Sequence, residues 1–233
     1  MAAYIGSLDS MASEHMTGIE TIRAAFRLLV GLPCWQVTGE FGSWLTFHFG
    51  APRISVNEPC EALRYRRLAG VEGQYELWIE LCDWVAFQDG AKLAHNESDR
   101  ETIRRAAANL QGQKLLGFSI GTRPPAGEFV FDLGGRLYIR RYEASDPQDG
   151  LWHLSTFRGP DACQIISFKA TGCASVFEQQ GDHHTKVDYP CEDGWIAVQQ
   201  DAPPNSRPPS QLPMSSEVQT PDGLRTPSSG GCG

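Results

Sequence analysis

Apolar residues recur at helical spacing in two segments of the chain, "TGIETIRAAFRLLVG" from residue 17 and "SDRETIRRAAANLQG" from residue 98. Each segment opens with Thr or Ser followed three positions later by Glu, the capping box that satisfies free N–H groups at a helix start. Each ends on a glycine, which readily adopts the left-handed conformation of a helix C-cap. The pattern therefore predicts two amphipathic helices. Their matching positions are 81 residues apart: Thr17 and Ser98, Glu20 and Glu101, Gly31 and Gly112.

Alternating apolar and polar residues after each helix predict strands in a repeated order. Residues 45–56 and 129–139 share an aromatic-x-large-Gly motif, a turn, and an Arg followed by alternating apolar residues, which is typical of a hairpin. The motif Gly-x-aromatic-x-Leu then follows at 73–77 and at 150–154. Connections this short favour antiparallel pairing, because a parallel return needs a crossover of a dozen or more residues.

These patterns predict an α+β fold with an internally duplicated helix-plus-four-strand unit, whose antiparallel strands form one sheet or two with the helices on one face. The first repeat is expected over residues 17–96, and the second repeat with additional strands over 97–200. Residues 1–16 are expected to be flexible. Residues 201–233 are rich in Pro, Ser and Gly and are expected to be a disordered tail, because they cannot bury enough apolar surface to offset the ordering entropy.

The charge of the chain narrows the class of partner. It carries 28 acidic and 20 basic residues, a formal net charge of -8. Neutralising phosphates needs clustered Lys and Arg, which the chain does not concentrate in any run, so nucleic acid is not an expected partner. The pattern of a signal peptide and apolar runs of membrane-spanning length are both lacking, which predicts a cytoplasmic protein without a membrane partner. Its seven cysteines are accordingly expected to be reduced.

The stretch "YELWIELCDW", residues 75–84, alternates as a strand does and places Glu76, Trp78 and Glu80 on one side. Residues four apart in a strand are separated by about 13 Å, which exceeds the roughly 5 to 9.5 Å of a glycosidase carboxyl pair. A catalytic pair is therefore not predicted. An aromatic side chain within a polar rim is typical of a protein-binding hot spot, and it is equally compatible with the solvated face of a sheet. The three residues are candidate partner-binding residues.

Two other segments contain residue types that carry chemistry. "GFSIG", residues 117–121, matches the nucleophile elbow of serine hydrolases, but two prolines and a strand follow where the elbow requires a helix. Residues 182–191 supply the zinc-ligand types His183, His184 and Cys191. Their spacing lacks the close pairs that fix two ligands on one turn, so a polar loop is favoured and no cofactor is expected, with zinc at this cluster as the alternative.

Residues 110–157 carry three linked motifs, within "LQGQKLLGFSI", "EFVFDLGGRLYIRRYE" and "DGLWHLSTF". This succession resembles small uncharacterised bacterial α+β domains, which are similar in style to the immunity proteins of bacterial toxin systems. The motifs mark turns and core positions. What the resemblance implies is a compact non-enzymatic scaffold and, by analogy of style alone, an immunity role.

Together these observations predict a non-enzymatic, cytoplasmic protein-binding module that receives a basic protein partner on an acidic surface, with neutralisation of a toxin or effector as one form of that role. Two alternatives stay open. One is a metal-dependent enzyme built on the cluster at 182–191. The other is a structural or scaffold protein that acts through its Pro-rich tail, residues 201–233.

Overall fold

Strands make up most of the folded chain. The computed structural model describes residues 17–39, 44–57, 59, 61, 64–143, 146–159, 162–189 and 195–199. Of these residues, 61% lie in strands and 13% lie in two helices. The predicted α+β class with helices on one face is therefore wrong: the chain is mostly β, with two large antiparallel sheets.

The helices are α1 (Gly18–Arg27) and α2 (Arg100–Leu110). The strands, in chain order, are β1 (Gln36–Gly39), β2 (Leu45–Asn57), β3 (Leu68–Ile79), β4 (Cys82–Gln88), β5 (Ala91–His95), β6 (Leu115–Thr122), β7 (Pro125–Phe131), β8 (Gly135–Arg141), β9 (Gly150–Gly159), β10 (Ala162–Lys169), β11 (Ala174–Gln180), β12 (His183–Tyr189) and β13 (Trp195–Gln199).

The helix starts agree only partly with the sequence pattern. At α1 the capping box of Thr17 and Glu20 is present, with each side chain bonded to the backbone N–H of the other residue. At α2 the N-cap is Asp99 rather than Ser98, because the Asp99 carboxylate accepts the N–H of Thr102. An ionised acceptor at a helix start is favoured further by the positive end of the helix dipole, so Asp99 replaces the predicted serine.

The strands form two sheets, and the chain crosses from one sheet to the other after β3, after β8 and after β12. The seven-stranded sheet has the order β1-β2-β3-β9-β10-β11-β12, and the six-stranded sheet has the order β13-β6-β7-β8-β4-β5. The first three strands therefore belong to one sheet, whereas β4 joins the other sheet beside β8. In the second half β6, β7 and β8 stay in the six-stranded sheet, and β9 returns to pair with β3. Each sheet thus contains strands from both halves of the chain.

The segments that follow the two helices pair with each other. The N–H of Gly31 donates to the carbonyl oxygen of Leu115, and the N–H of Gly112 donates to that of Cys34, both at 2.7 Å. An isolated antiparallel bridge joins Pro33 to Lys114 between them. Equivalent positions of the two segments, 81 residues apart in the chain, therefore pair with each other in a locally two-fold symmetric arrangement. The extent of the two predicted repeats stays a prediction.

One predicted hairpin is a single strand. Residues 129–139 do turn between β7 and β8, but residues 45–56 run straight through β2 with an irregularity between Phe49 and Pro52. Gly50 takes the positive φ of 73° that this bulge requires. The two loops read alike in sequence because a bulge and a tight turn both use glycine at positive φ.

The core lies between the two sheets and is dominated by aromatic rings. Phe26 of α1 stacks on Phe118 of β6 with ring centroids 3.8 Å apart, and it meets Trp152 of β9 edge-on at 5.1 Å. Phe47 of β2 and Phe131 of β7 stack at 6.0 Å. Phe47 and Phe131 join the two sheets directly, and Phe26 joins α1 to a ring of each sheet, so the sheets pack face to face with α1 at the edge of the layer between them.

The cysteines do not all behave as expected. Cys34 and Cys82 are buried free thiols, and burial raises the pKa of Cys34 to about 12 and also raises the pKa of Cys82. The Cys34 thiol donates to the carbonyl oxygen of Leu110 at 3.0 Å. Cys173 is disulfide-bonded. The expectation of reduced thiols is therefore wrong for Cys173.

The described residues include only part of the predicted domain organisation. All described residues up to Gln199 belong to one compact unit. Within them, no helix is long and apolar enough to cross a membrane. The predicted flexible segment 1–16 and the predicted tail 201–233 lie outside the described residues.

Replacing Phe26 tests the aromatic core. Phe26→Ala removes a fully buried ring that contacts both sheets, and we expect it to lower the free energy of unfolding by about 3 to 5 kcal/mol. Chemical denaturation followed by tryptophan fluorescence measures the change. Leu28→Ala, two positions away and 51% exposed, is the matched control and should change stability by less than about 0.5 kcal/mol. Equal losses in the two variants would contradict this description of the core.

Candidate functional site

The candidate site lies on the outer face of the seven-stranded sheet. On β3, Leu77 and Ile79 are buried in the core, and Trp78 alternates with them toward the other side. Register places Trp78 between Thr46 of β2 and His153 of β9. We call this outer surface, with Trp44, Glu76, Trp78, Glu80 and His153 as its members, the Trp78 face.

Trp78 is held from two sides by aromatic rings. Its ring is stacked on His153, with centroids 5.4 Å apart and planes 18° apart, and it meets the ring of Trp44 edge-on at 6.2 Å. Trp78 itself is half-buried, so part of the indole stays accessible. Sequence reasoning missed both neighbours because they are 34 and 75 positions away and only the strand register brings them together.

Glu80 orients the histidine on which Trp78 stacks. Its carboxylate lies 3.1 Å from Nδ1 of His153, and the two side chains are 19% and 23% exposed. The carboxylate accepts the Nδ1 proton, which leaves Nε2 as the free ring nitrogen. Ser167 lies opposite His153 on β10, but among the described residues these two side chains form no hydrogen bond. The pair therefore fixes the orientation of the His153 ring, and no hydrogen bond among the described residues connects that ring to a nucleophilic side chain.

His48 is held in its neutral form by the bulge of β2. The bulge lets the N–H of Gly73 donate to Nδ1 of His48 at 3.1 Å, so Nδ1 is an acceptor and the ring proton sits on Nε2. A side chain on Gly73 would approach backbone atoms of Phe49 and Tyr75 at 2.7 Å, so this contact requires glycine. Burial lowers the pKa of His48, which also favours the neutral ring.

Glu76 is buried beside that neutral histidine. It is 8% exposed, and one oxygen lies 3.4 Å from Nδ1 of His48. Because Nδ1 already accepts from Gly73, this contact is not an ion pair. Burial raises the pKa of Glu76, and the indole N–H of Trp78, which donates to the carboxyl group, lowers it in part. Glu76 is therefore held inside the site and presents little charge to a partner.

The predicted site residues are thus brought together, but with different roles. Glu80 and Trp78 both contact His153, and Glu76 bonds to Trp78 from the other side. The sequence pattern placed two glutamates as an acidic rim. The structure gives each of them an intramolecular partner, so neither is a free acidic group.

A cation–aromatic contact lies on the same sheet face. The guanidinium of Arg53 lies 3.4 Å from the ring centroid of Phe157, and it also forms a salt bridge with Glu72. Arg53 is half-buried. An arginine over a ring and paired with a carboxylate is fixed in orientation, which extends the ordered part of the face toward the bulge.

The alternative metal cluster is not assembled among the described residues. His183 and His184 are adjacent on β12, where successive side chains point to opposite faces of the sheet. His184 stacks on Phe177 with ring centroids 6.0 Å apart, and Cys191 lies outside the described residues. Within the described part of the chain, no group of three His, Cys, Asp or Glu side chains could hold a metal ion. Whether the protein takes a cofactor stays a prediction.

The serine of "GFSIG" lies within a regular strand. Ser119 is in β6 and pairs with Glu128 on one side and Ala197 on the other. A nucleophile elbow instead places serine on a strained turn between a strand and a helix. The structure therefore gives this motif a place in the six-stranded sheet and no elbow geometry.

Comparison with known proteins adds no relative to this description. No family model matches the chain, and neither a curated protein nor a solved structure matches it significantly.

Replacing Glu76 tests the burial of its carboxyl group. Because the folded-state pKa of Glu76 is raised above the unfolded value near 4.5, the wild-type protein loses stability as the pH rises through the folded-state pKa. Glu76→Gln keeps an acceptor for the Trp78 indole and carries no charge. We expect its free energy of unfolding to match wild type below pH 4.5 and to exceed it increasingly above, by about 1.4 kcal/mol per unit of raised pKa.

Denaturant titrations across that pH range measure the difference. His48, whose lowered pKa makes both proteins less stable in acid, cancels in the comparison. Glu72→Gln is the control, because Glu72 lies on the same strand as Glu76 but is paired with Arg53 of β2. This substitution should not become more stabilising as the pH rises. A pH-independent difference for Glu76→Gln would show that its charge is not suppressed by burial.

Proposed function

We propose that this chain is a non-enzymatic binding module for a protein partner and that Trp78 is the centre of its contact surface. The observation that carries the proposal is the fixed, half-buried indole of Trp78 between His153 and Trp44. Large aromatic side chains surrounded by partly buried polar groups are the residues that most often dominate protein interfaces.

The ordering of the site supports this role. Binding costs the conformational entropy of each side chain that becomes immobile. Trp78 is already confined by two rings and by its bond to Glu76, and His153 is confined by Glu80. A partner that covers the indole therefore gains apolar burial with little further loss of side-chain freedom.

The charge of the chain favours a basic partner. A net charge of -8 attracts a positively charged protein over a distance and raises the association rate. This attraction does not depend on the two glutamates of the Trp78 face, since Glu76 is buried and Glu80 is bonded to His153. An immunity-like role in the cytoplasm, in which the partner is a toxin or effector, is the narrower form of the same proposal.

Replacing Trp78 tests the proposal. The full chain, attached to a resin, should recover a stoichiometric protein from extracts of its native host at low salt, and that protein can then be purified for titration calorimetry. Trp78→Ala should raise its dissociation constant by about thirtyfold, the effect of removing a hot-spot side chain worth about 2 kcal/mol.

Leu133→Ala is the matched control, because Leu133 is 65% exposed and lies in the β7–β8 turn, outside the Trp78 face. It should bind as wild type does. Recovery of no stoichiometric protein, or equal affinity of Trp78→Ala and wild type, would count against the proposal. Circular dichroism of both variants separates loss of contact from loss of folding.

A further inference from the structure

A groove lies between the first strand of the seven-stranded sheet and helix α2. β1 is the edge strand of its sheet, and α2 packs beside it. The cavity between the two elements has a volume of about 220 Å³, and we call it the α2 groove. Its lining residues are Val37, Thr38 and Gly39 of β1 and Arg100, Arg104 and Ala107 of α2.

The spacing of residues along α2 places two arginines on the side that faces β1. Positions 100, 104 and 107 follow one another at i, i+4 and i+7, so they share one side of the helix. Gly39 allows the helix to approach the strand closely, because a Cβ atom at position 39 would lie 2.4 Å from Cγ2 of the buried Ile103. A side chain at position 39 would therefore displace α2 and change the walls of the groove.

β1 adds a backbone donor to the groove. The N–H of Val37 donates to Oε1 of Gln111 at 3.3 Å, so it points away from β2 and toward the end of α2. Backbone groups alternate in direction along a strand, which gives the N–H of Gly39 the same direction as that of Val37. Among the described residues, no strand pairs with this side of β1 and no acceptor bonds to the N–H of Gly39. This N–H is therefore available to a ligand.

Both arginines of the groove are available to a ligand. Arg100 is exposed and forms no hydrogen bond or ion pair with another described residue. Arg104 lies 3.9 Å from a carboxylate oxygen of Glu101, and these two side chains are 54% and 70% exposed. An exposed ion pair of this length contributes little free energy, because water solvates both charges. Arg104 can therefore turn from Glu101 to a ligand with little loss of stability.

The acidic side chain at the start of α2 has its own partners outside the groove. The carboxylate of Asp99, the N-cap of the helix, accepts both the backbone N–H and the hydroxyl of Thr102. None of the described residues that line the groove is acidic. The polar side chains among them are those of Thr38, Arg100 and Arg104, and each can donate a hydrogen bond. The α2 groove therefore presents donors and positive charge to a ligand.

We propose that the α2 groove binds the phosphate group of a small molecule between Arg100 and Arg104. A guanidinium group forms paired hydrogen bonds with phosphate oxygens. Residues four apart on a helix have Cβ atoms about 5 to 6 Å apart, so both arginines reach one phosphate. Their two positive charges match a phosphate group, which is close to a dianion at neutral pH. The N–H of Gly39 supplies a third donor.

The volume of the groove limits the size of the ligand. Sites for drug-sized molecules have volumes of about 300 to 1,000 Å³, and the α2 groove has a volume of about 220 Å³. Inorganic phosphate or the phosphate of a small monoester therefore fits the groove better than a nucleotide does. None of the residues that form the Trp78 face lines this groove, so the inference goes beyond the proposed function and does not rest on it.

Isothermal titration calorimetry of the full chain with inorganic phosphate at low salt tests the inference. Wild type should bind one phosphate per chain with a dissociation constant of about 1 mM or below. It should bind acetate, which carries a single charge, more weakly. Arg100→Gln and Arg104→Gln should each raise the dissociation constant for phosphate by about tenfold or more, the effect of losing one charge-assisted hydrogen bond. Glycerol 3-phosphate is titrated in parallel.

Arg105→Gln is the matched control, because Arg105 is exposed on the same helix, bonds to Thr102 and does not line the groove. It should bind phosphate as wild type does, as should Trp78→Ala, and thermal unfolding should show that all variants are folded. Tighter binding of glycerol 3-phosphate than of inorganic phosphate would assign the groove to a phosphate monoester, and the reverse order to free phosphate. A wild-type chain that binds no phosphate, or equal weakening by all three arginine substitutions, would overturn the inference.

Discussion

Burial of the inner faces of the two sheets against each other is the constraint on which the rest of the structure depends. Rings from both sheets and from α1 meet around Phe26, Phe118 and Trp152, and this layer can form only when β4 and β9 have crossed to the opposite sheets. The exchange ties the two halves of the chain into one core. It also determines which side of every strand remains available for other contacts.

The outer face of the seven-stranded sheet shows what that constraint leaves available. Trp78, His153 and Glu76 point away from the core, yet they are partly or fully covered by one another and by their neighbours. The carboxyl group of Glu76 is therefore buried beside a neutral histidine, and burial raises its pKa and costs stability once it is charged. Perturbed groups of this kind are more frequent at functional sites than elsewhere.

Local patterns located some features of the fold and missed others. The box of Thr17 and Glu20 identified the start of α1, because capping depends only on residues within one turn. The glycine motif at 45–56 predicts a hairpin but forms a bulge, because a bulge in a long strand uses the same residue for the same dihedral angle. The fold class was wrong for a related reason: strands joined through distant pairing leave a weaker local signal than capped helices.

The sequence by itself determined the alternation that places Trp78 on the opposite side of β3 from Leu77 and Ile79, since side chains of a strand alternate whatever the strand pairs with. Only the tertiary structure decided what surrounds Trp78. His153 is its neighbour through the register of β3 with β9, and Glu76 is buried because of the bulge that positions His48. Register and burial arise from contacts between residues far apart in the chain, which no local pattern records.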